Sequence, residues 1–317
     1  MRKNKNNNAE RSNALDLVHG GKSVPENLIR RYVDGTKRRV EELVKEKSRL
    51  YEEAAKYRSK LRKPSARNDG KDPEAARAVE RLRKFTARLQ KRRVIAPTVA
   101  KLTPGIMAGA YSVRLTPPYD FANIFISAGS PTAAGNSAFA HRRAGEMGWS
   151  ISAATKENQN PVAITEIGVF FIPMFGPAIL RAGVNPADSF AWWINSLGDV
   201  ASTDAFMSCG ITAFRKDGTQ DFSVPSTGGS IPLWSERDGD VLKFDFGSNS
   251  DNPMSASMEV DTHHFYLVSV RCLGVAFARG WQGKFASQSG GIASITVPFI
   301  DLDLRLIPVV SQALQAR

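Results

Sequence analysis

The hydrophobic pattern of this chain changes once, and the change limits what the chain can fold into. From Ser23 to Arg93 the apolar residues recur with helical spacing, and from about residue 110 onward they alternate every second residue between regularly placed glycines and prolines. A period of 3.6 residues predicts helices, and a period of two predicts half-buried strands. The sequence therefore predicts a segregated α+β fold, with helices first and a mainly antiparallel β-sandwich after them.

The N-terminal third divides into three predicted parts. Residues 1–22 are polar, basic and rich in asparagine, and we expect a disordered basic arm there. Ser23, with Glu26 three residues further on, forms a capping box that predicts the start of a helix. Residues 23–93 are therefore predicted to be helical, with a long first helix that ends at Pro64 and a second helix from about Asp72 to Arg93, as a helical hairpin or a coiled coil. Residues 94–109 carry several prolines and glycines and are predicted to be a linker.

The apolar residues of the first predicted helix form a narrow stripe. They occupy two heptad positions, one with Val33, Val40, Ala54 and Leu61 and the other with Leu43, Leu50 and Tyr57. A stripe of this kind has to be buried against a partner surface. Because the second predicted helix is about half as long as the first, a hairpin would leave part of the stripe uncovered. Self-association of the helical segment, or its docking on another surface, is the favoured prediction.

The net charge of +12 comes entirely from the N-terminal part of the chain. Residues 1–100 hold 28 Lys and Arg against 13 Asp and Glu, whereas the remainder holds 15 against 18. More basic residues gather at the end of the second predicted helix than its dipole needs. This surplus predicts contact with a polyanion, either nucleic acid through its phosphates or an anionic membrane surface. The residues concerned are Arg81, Arg83, Lys84, Arg88, Lys91, Arg92 and Arg93.

Residues 110–317 are predicted to form a β-sandwich, with a jelly roll as one arrangement. The clearest alternation is at the end, where Leu302, Leu304 and Leu306 are separated by charged residues. An Asp-Gly pair at 217–218 predicts a hairpin turn. The predicted strands are 110–115, 123–127, 149–155, 164–173, 190–195, 205–215, 221–224, 241–247, 255–260, 264–278 and 292–306.

The sequence contains no motif for catalysis, a cofactor or a metal, so none of these is predicted. His263 and His264 are adjacent, and neighbours on a strand point to opposite faces, so the pair is not expected to bind one metal ion. The only two cysteines, Cys209 and Cys272, are too few for a disulfide framework. We expect free, buried thiols and a reducing compartment.

Aromatic residues are the remaining candidates for ligand binding. Trp192 and Trp193 are neighbours on a predicted strand, so one is expected in the core and Trp193 is taken as the one at an interface or pocket. Trp281 lies in a glycine-flanked loop beside Arg279 and Gln282, where an exposed indole with polar neighbours could stack on a ligand. We therefore expect a glycan or protein ligand at the sandwich loops.

Three classes of function are compatible with these features. The favoured class is a non-enzymatic binding or assembly protein, in which the helical segment associates and the sandwich recognises a ligand. The alternatives are a capsid-type protein whose basic segment contacts packaged nucleic acid, and an enzyme with a site built from loop carboxylates. Glutamates interleaved through the first helix weigh against a packaging arm. The sequence shows no secretory signal and no membrane-length apolar run. We therefore expect a location in the cytoplasm or in a particle assembled there.

Overall fold

The computed structural model describes residues 26–27, 29–38, 41–42, 45–46, 49, 110–127, 136–154, 160–173, 176–195, 200–217, 219–221, 226–237, 242–279 and 287–307. These residues form one helical segment, α1, and fourteen strands. All the helical residues that the structure describes lie within 26–49, and the longest unbroken described run is 29–38. The strands are β1 (Ala110–Leu115), β2 (Phe121–Ile126), β3 (Ser137–His141), β4 (Glu146–Ala154), β5 (Val162–Phe171), β6 (Ala178–Val184), β7 (Ala187–Asn195), β8 (Val200–Phe214), β9 (Ser226–Arg237), β10 (Lys243–Asn249), β11 (Met254–Val260), β12 (Phe265–Arg279), β13 (Gln288–Thr296) and β14 (Ile300–Leu306).

The predicted α+β class is wrong, because the described chain is nearly all β. Neither a coiled coil nor a helical hairpin is seen among the described residues. The physical reason is that the described apolar side chains of α1, those of Ile29, Tyr32 and Val33, pack on a β-sheet of the same chain. The predicted arm at 1–22, the predicted helical residues 50–93 and the linker at 94–109 lie outside the described residues. No helix among the described residues is long and apolar enough to cross a membrane.

The strands form two antiparallel sheets that enclose one hydrophobic core. The large sheet has nine strands in the order β1-β14-β6-β11-β9-β8-β12-β5-β2, and the small sheet has five in the order β10-β7-β13-β4-β3. Buried side chains from both sheets belong to the same core cluster. The face of each sheet that points away from this core is called its outer face below.

Eight of the strands have the order of a jelly roll. We number these eight strands one to eight in chain order. They are β1, β4, β6, β7, β10, β11, β13 and β14. The large sheet then contains the order 1-8-3-6 and the small sheet the order 2-7-4-5. This is the arrangement of two interlocked Greek keys that defines the jelly roll. The other six described strands extend this framework, five of them in the large sheet and β3 in the small one.

The extension of the large sheet creates a second buried surface. Strand β5 is buried at every position from Val162 to Phe171. Its residues Ile167, Val169 and Phe171 face the core between the sheets. Because side chains alternate, Glu166 and Phe170 point to the outer face, where Phe170 packs in a separate cluster with Tyr32 of α1. A strand buried on both faces reads as a continuous apolar run, and this explains the length of the apolar stretch at this point of the sequence.

Two tryptophans at the centre of the core fix the distance between the sheets. Trp149 and Trp234 are 1% and 6% exposed, and their rings are 5.5 Å apart. The Trp149 indole N–H donates to Cys272 Sγ at 3.2 Å, and the Trp234 indole N–H donates to Thr203 Oγ1 at 3.1 Å. Each buried indole N–H thus has a hydrogen-bond acceptor, as buried indoles usually do. Both tryptophans therefore have structural roles.

Candidate functional site

The apolar side chains of strand β10 point away from the core. In the register of β10 with β7, Phe244 is paired with Trp193 and Asp245 with Trp192. Trp192 is buried in the core between the sheets. Asp245 is therefore on the core side of the small sheet and Phe244 on its outer face, because paired residues share a face and neighbours alternate. The same alternation puts Phe246 on the outer face.

Three side chains make this edge of the outer face strongly apolar. Leu242, Phe244 and Phe246 are 62%, 69% and 76% exposed. A single exposed apolar side chain is ordinary, but three on alternating positions form a contiguous patch, and such patches mark interaction sites. Strand β10 is paired with β7 along all of Lys243–Asn249, so Phe244 and Phe246 are fixed parts of the sheet, and Leu242 directly precedes the strand. These three residues are called the β10 patch.

The apolar surface continues from the β10 patch onto the neighbouring strands. Trp193 is partly exposed and lies close over β13, where a Cβ at Gly290 would be 2.7 Å from its Cε2 atom. Two residues further along β13, Ile292 is 47% exposed on the same face. Asn195 and Gln288 are paired with each other and, by alternation, flank Trp193 on this face. The outer face thus combines an aromatic band with polar groups beside Trp193.

A buried ionic cluster attaches α1 to the outer face of the large sheet. The carboxylate of Glu166 is fully buried, and its Oε1 accepts hydrogen bonds from Tyr32 Oη at 2.6 Å and from Ser269 Oγ at 2.6 Å. Arg271 Nη2 donates to Glu166 Oε1 at 3.1 Å and to Tyr32 Oη at 2.5 Å. A buried charge requires such pairing, since an isolated carboxylate would be strongly destabilising there. The cluster therefore anchors the helix.

Aromatic packing surrounds this anchor and explains its electrostatics. The ring of Tyr32 meets Phe121 and Phe214 edge to face, with centroids 5.7 Å and 5.4 Å apart. Burial raises the pKa of the Tyr32 phenol well above its ordinary value, and the nearby Glu166 carboxylate raises it further. Burial would lower the pKa of Arg271, but Glu166 and Tyr32 raise it by more than that. Tyr32 thus remains a neutral donor and Arg271 a cation.

A second polar cluster joins the end of β8 to the turn before β12. His264 Nδ1 lies 2.8 Å from Asp261 Oδ1, and His264 Nε2 lies 3.2 Å from Asp221 Oδ2. Arg215 Nε donates to the same Asp221 oxygen at 2.9 Å. Because both ring nitrogens of His264 face carboxylates, neither points to a space where a substrate would bind. The arrangement is suited to holding the turn and the strand end together.

The two cysteines are free and buried, as predicted. Burial raises the pKa of Cys209 to about 12 and that of Cys272 to about 12. A thiol of this kind is almost entirely protonated near neutral pH, and the thiolate is the reactive form. These residues therefore act as small apolar side chains in the core.

The structure places only part of the predicted ligand-binding set. Trp193 lies on the outer face of the small sheet, next to the β10 patch. Trp281 and Gln282 lie outside the described residues, and for Arg279 only the backbone, at the end of β12, is described. The seven basic residues between 81 and 93 also lie outside the described residues. Their proposed contacts remain predictions.

The described His, Cys, Asp and Glu side chains are the potential metal ligands. Within the described ranges, no group of three or more His, Cys, Asp and Glu side chains could hold a metal ion. His263 is exposed, whereas His264 is partly buried between Asp221 and Asp261. Both histidines lie in the turn before β12 and not on a strand, and their side chains have different surroundings.

Sequence reasoning missed both the β10 patch and the buried cluster at Tyr32 that anchors α1. The β10 patch follows a two-residue alternation that shows Leu242, Phe244 and Phe246 to share a face, but alternation alone does not say which face. The anchor at Tyr32 had a usable signal. Ile29, Tyr32, Val33 and Thr36 have the spacing i, i+3, i+4 and i+7 of a helix stripe, and in the structure Tyr32 and Thr36 are buried, with Ile29 and Val33 packed beside them.

Comparisons with known proteins give no family assignment. No protein-family model matches the chain, and no curated protein matches it. A carbohydrate-binding module, TmCBM61 in complex with β-1,4-galactotriose, is 7% identical with a TM-score of 0.17, over 58% of this chain and 88% of that chain. The enzymatically active domain of bacteriophage CBA120 tailspike protein 4 is 11% identical with a TM-score of 0.12, over 51% and 19% of the two chains. The infectious bursal disease virus Gx strain structure is 10% identical with a TM-score of 0.11, over 68% and 47%. Scores this low do not establish a shared fold.

Proposed function

We propose that the protein is a shell-forming structural protein of the capsid type. In this proposal jelly-roll subunits associate through the outer faces of their small sheets, and the basic N-terminal part of the chain contacts nucleic acid. The observation that carries the proposal is the β10 patch. A monomer gains no stability from three large apolar side chains held in water, whereas a subunit that buries them against its copies does.

The charge distribution supports the second half of the proposal. Residues 1–100 carry an excess of 15 positive charges, and the rest of the chain carries an excess of three negative charges, from the Lys and Arg against Asp and Glu counts. Basic residues concentrated ahead of a shell-forming domain would neutralise phosphates without reading base sequence. Binding of this kind should weaken steeply as the salt concentration rises.

The decisive experiment measures assembly and nucleic-acid content together. The full-length protein is purified at low and at high salt, its mass is determined by light scattering, its shape by negative-stain electron microscopy, and its nucleic acid by extraction after nuclease treatment. We expect closed particles with nuclease-protected nucleic acid at low salt. Small oligomers free of nucleic acid under both conditions would overturn the proposal.

Matched variants test the two surfaces separately. Phe244→Ser combined with Phe246→Ser should abolish particles, and Ile124→Ser should leave them intact. Ile124 is a suitable control because it is 48% exposed on β2, at the edge of the other sheet. Replacing the seven basic residues between 81 and 93 with Gln should reduce the bound nucleic acid. Unchanged particles in the double variant would contradict the role of the β10 patch.

A second candidate function rests on Trp193. A partly exposed indole flanked by Asn195 and Gln288 offers a stacking surface with hydrogen-bonding groups at its rim, which is the arrangement that suits a glycan. Calorimetric titration with oligosaccharides selected on a glycan array would test it, and Trp193→Ala should abolish any binding found. The loop at Trp281 stays a separate prediction, for which Trp281→Ala is the corresponding variant. Binding that survives both substitutions would refute glycan recognition by these tryptophans.

A further inference from the structure

Strand β10 has an open hydrogen-bonding edge. Among the described strands it is the end member of the small sheet, with β7 on one side only. The Phe246 amide N–H donates to the carboxylate of its own neighbour, Asp245, at 2.8 Å, so it is not used in the ladder with β7. Backbone groups on a strand alternate in direction. The amides of Phe244 and Leu242 therefore face the same open edge as that of Phe246.

The residues along this edge form a pattern that is complementary to itself. From Leu242 to Phe246 the side chains are apolar, cationic, apolar, anionic and apolar. Read in the opposite direction, the pattern is the same except that the cation and the anion exchange places. An antiparallel copy centred on Phe244 would therefore set Lys243 opposite Asp245, and Asp245 opposite Lys243.

We infer that β10 pairs antiparallel with β10 of a second copy, about a two-fold axis that passes through Phe244. This inference deepens the proposed function by naming one subunit contact, and it rests on that proposal only for its place in a larger assembly. The pairing would join two small sheets into one continuous ten-stranded sheet, counted from the five strands of each. Pairing of two identical edges is the isologous contact expected of a two-fold dimer.

The backbone geometry agrees with this register. Because the N–H of Phe244 faces the open edge, the two Phe244 residues would exchange both backbone hydrogen bonds, and Leu242 would do so with Phe246 of the second copy. Lys243 and Asp245 would form the intervening pairs that are not hydrogen-bonded, where side chains lie closest and an ion pair is favoured. The carboxylate of Asp245, which now covers the Phe246 amide, would be released to Lys243 of the second copy.

The charges of β10 and the faces of its side chains favour a second copy of the chain as the partner. A two-fold axis perpendicular to the sheet keeps the outer faces on the same side, so Phe244 would pack beside Phe244 and Leu242 beside Phe246 of the second copy, which would cover part of each β10 patch. Shifting the axis by one residue to Asp245 would set two carboxylates opposite each other, which is unfavourable. An unrelated strand would have no reason to match both the charges and the apolar positions.

Charge reversal tests the pairing in the full-length protein. Lys243→Asp sets two acids opposite each other twice in the dimer, and Asp245→Lys does the same with two cations. Each single variant should raise the dimer dissociation constant by about 10-fold or more, measured by analytical ultracentrifugation at protein concentrations below those at which particles form. The combined variant, Lys243→Asp with Asp245→Lys, restores opposite charges and should bring the constant back towards the wild-type value. Lys216→Asp, an exposed change in the turn after β8, is the matched control and should have no effect.

The outcomes separate this inference from the proposed function. Equal dissociation constants for the wild type and the single variants, or weakening in the single variants without recovery in the combined one, would overturn the β10 pairing. If particles with nucleic acid still form in that case, the capsid-type proposal stands without this contact. If the combined variant recovers dimerisation but the wild type forms no particles, the pairing stands and the capsid-type proposal fails.

Discussion

The indole of Trp149 lies directly on the backbone of Gly274, across the space between the two sheets. A Cβ on residue 274 would be 2.5 Å from the indole Cε2 atom, a separation that real side chains do not show. Because Trp149 is 1% exposed and held by its bond to Cys272, it has no room to move aside. We expect Gly274→Ala to lower the free energy of unfolding by about 1–3 kcal/mol, measured by urea denaturation.

Gly210 provides the control for this substitution. It lies on the adjacent strand β8, and a Cβ there would meet nothing within 4 Å. Gly210→Ala should therefore leave stability unchanged or raise it slightly, since alanine restricts the unfolded chain. Equal losses in the two variants would show that the contact with Trp149 is not the cause.

Trp192 and Trp193 should respond very differently to truncation, although they are neighbours in sequence. Trp192 is 7% exposed in the core, whereas Trp193 is partly exposed on the outer face. Trp192→Ala should lower the free energy of unfolding by about 3–5 kcal/mol, and Trp193→Ala by about 1–2 kcal/mol. The same denaturation series tests both, and a larger loss for Trp193 would contradict the orientation of β7.

Removing the hydroxyl of Tyr32 should loosen α1 from the sheet. Tyr32→Phe keeps the aromatic packing but removes one hydrogen bond to the buried Glu166 and the acceptor for Arg271. Leaving such buried groups short of a partner costs about 1–3 kcal/mol. We expect faster hydrogen exchange in residues 29–38 by mass spectrometry. Asp34→Ala on the exposed side of the helix is the control, and equal exchange in Tyr32→Phe and the wild type would refute the anchor.

The Asp261 cluster should contribute stability that is lost in acid. Partial burial raises the pKa of Asp261, but hydrogen bonds from the His264 ring and from the amides of His263 and His264 lower it by more. A carboxyl with a lowered pKa stabilises the fold above its unfolded value of about 3.9, and this contribution disappears as the pH falls through the folded value. Because the side chain is 42% exposed, we expect less than about 1 kcal/mol.

Urea denaturation between pH 3 and pH 7 checks this sign, with the wild type compared to Asp261→Asn. The difference between the two proteins should be largest at neutral pH and should shrink below about pH 4. A difference that grows as the pH falls would mean that Asp261 is not stabilised as a carboxylate.

The two thiols should be unreactive in the folded protein. With the pKa of both Cys209 and Cys272 raised to about 12 by burial, neither forms an appreciable amount of thiolate at pH 8. We expect no reaction with a water-soluble disulfide reagent in native buffer and reaction of both cysteines in urea. Rapid native labelling of either one would show that the core opens at that site.

Much of the β-structure could be predicted from residue alternation. The predicted strand at 110–115 matches β1, and the alternation of Leu302 and Leu304 with charged residues matches the burial of β14. The turn at Asp217 also forms, since its carboxylate accepts the Thr219 amide N–H at 2.8 Å. The predicted strand at 292–306 is in fact two strands, β13 and β14, separated by residues 297–299. Alternation of apolar and polar residues indicates that a segment is a strand, but it does not show where the chain passes from one sheet to the other. The division into β13 and β14 could therefore not be predicted from the pattern.

The parts that failed depend on long-range partners. Strand β6 was not predicted, because Gly183 and Arg181 interrupt its apolar run, and its pairing with β14 and β11 decides its structure. The predicted start of the helix at Ser23 lies outside the described residues, and the described part of the helix lies on a β-sheet and forms no coiled coil. An apolar stripe on a helix has to pack against another surface. The described part of this stripe packs against Phe121, Phe170 and Phe214 on the large sheet.

The position of α1 gives the molecule two unlike sides. The helix lies on the outer face of the large sheet, and the β10 patch lies on the outer face of the small sheet, with the whole sandwich between them. A two-fold axis perpendicular to the sheets would turn neither side over. The two copies of a dimer paired through β10 would therefore present their helices in the same direction. Such a dimer would have a chemically distinct front and back.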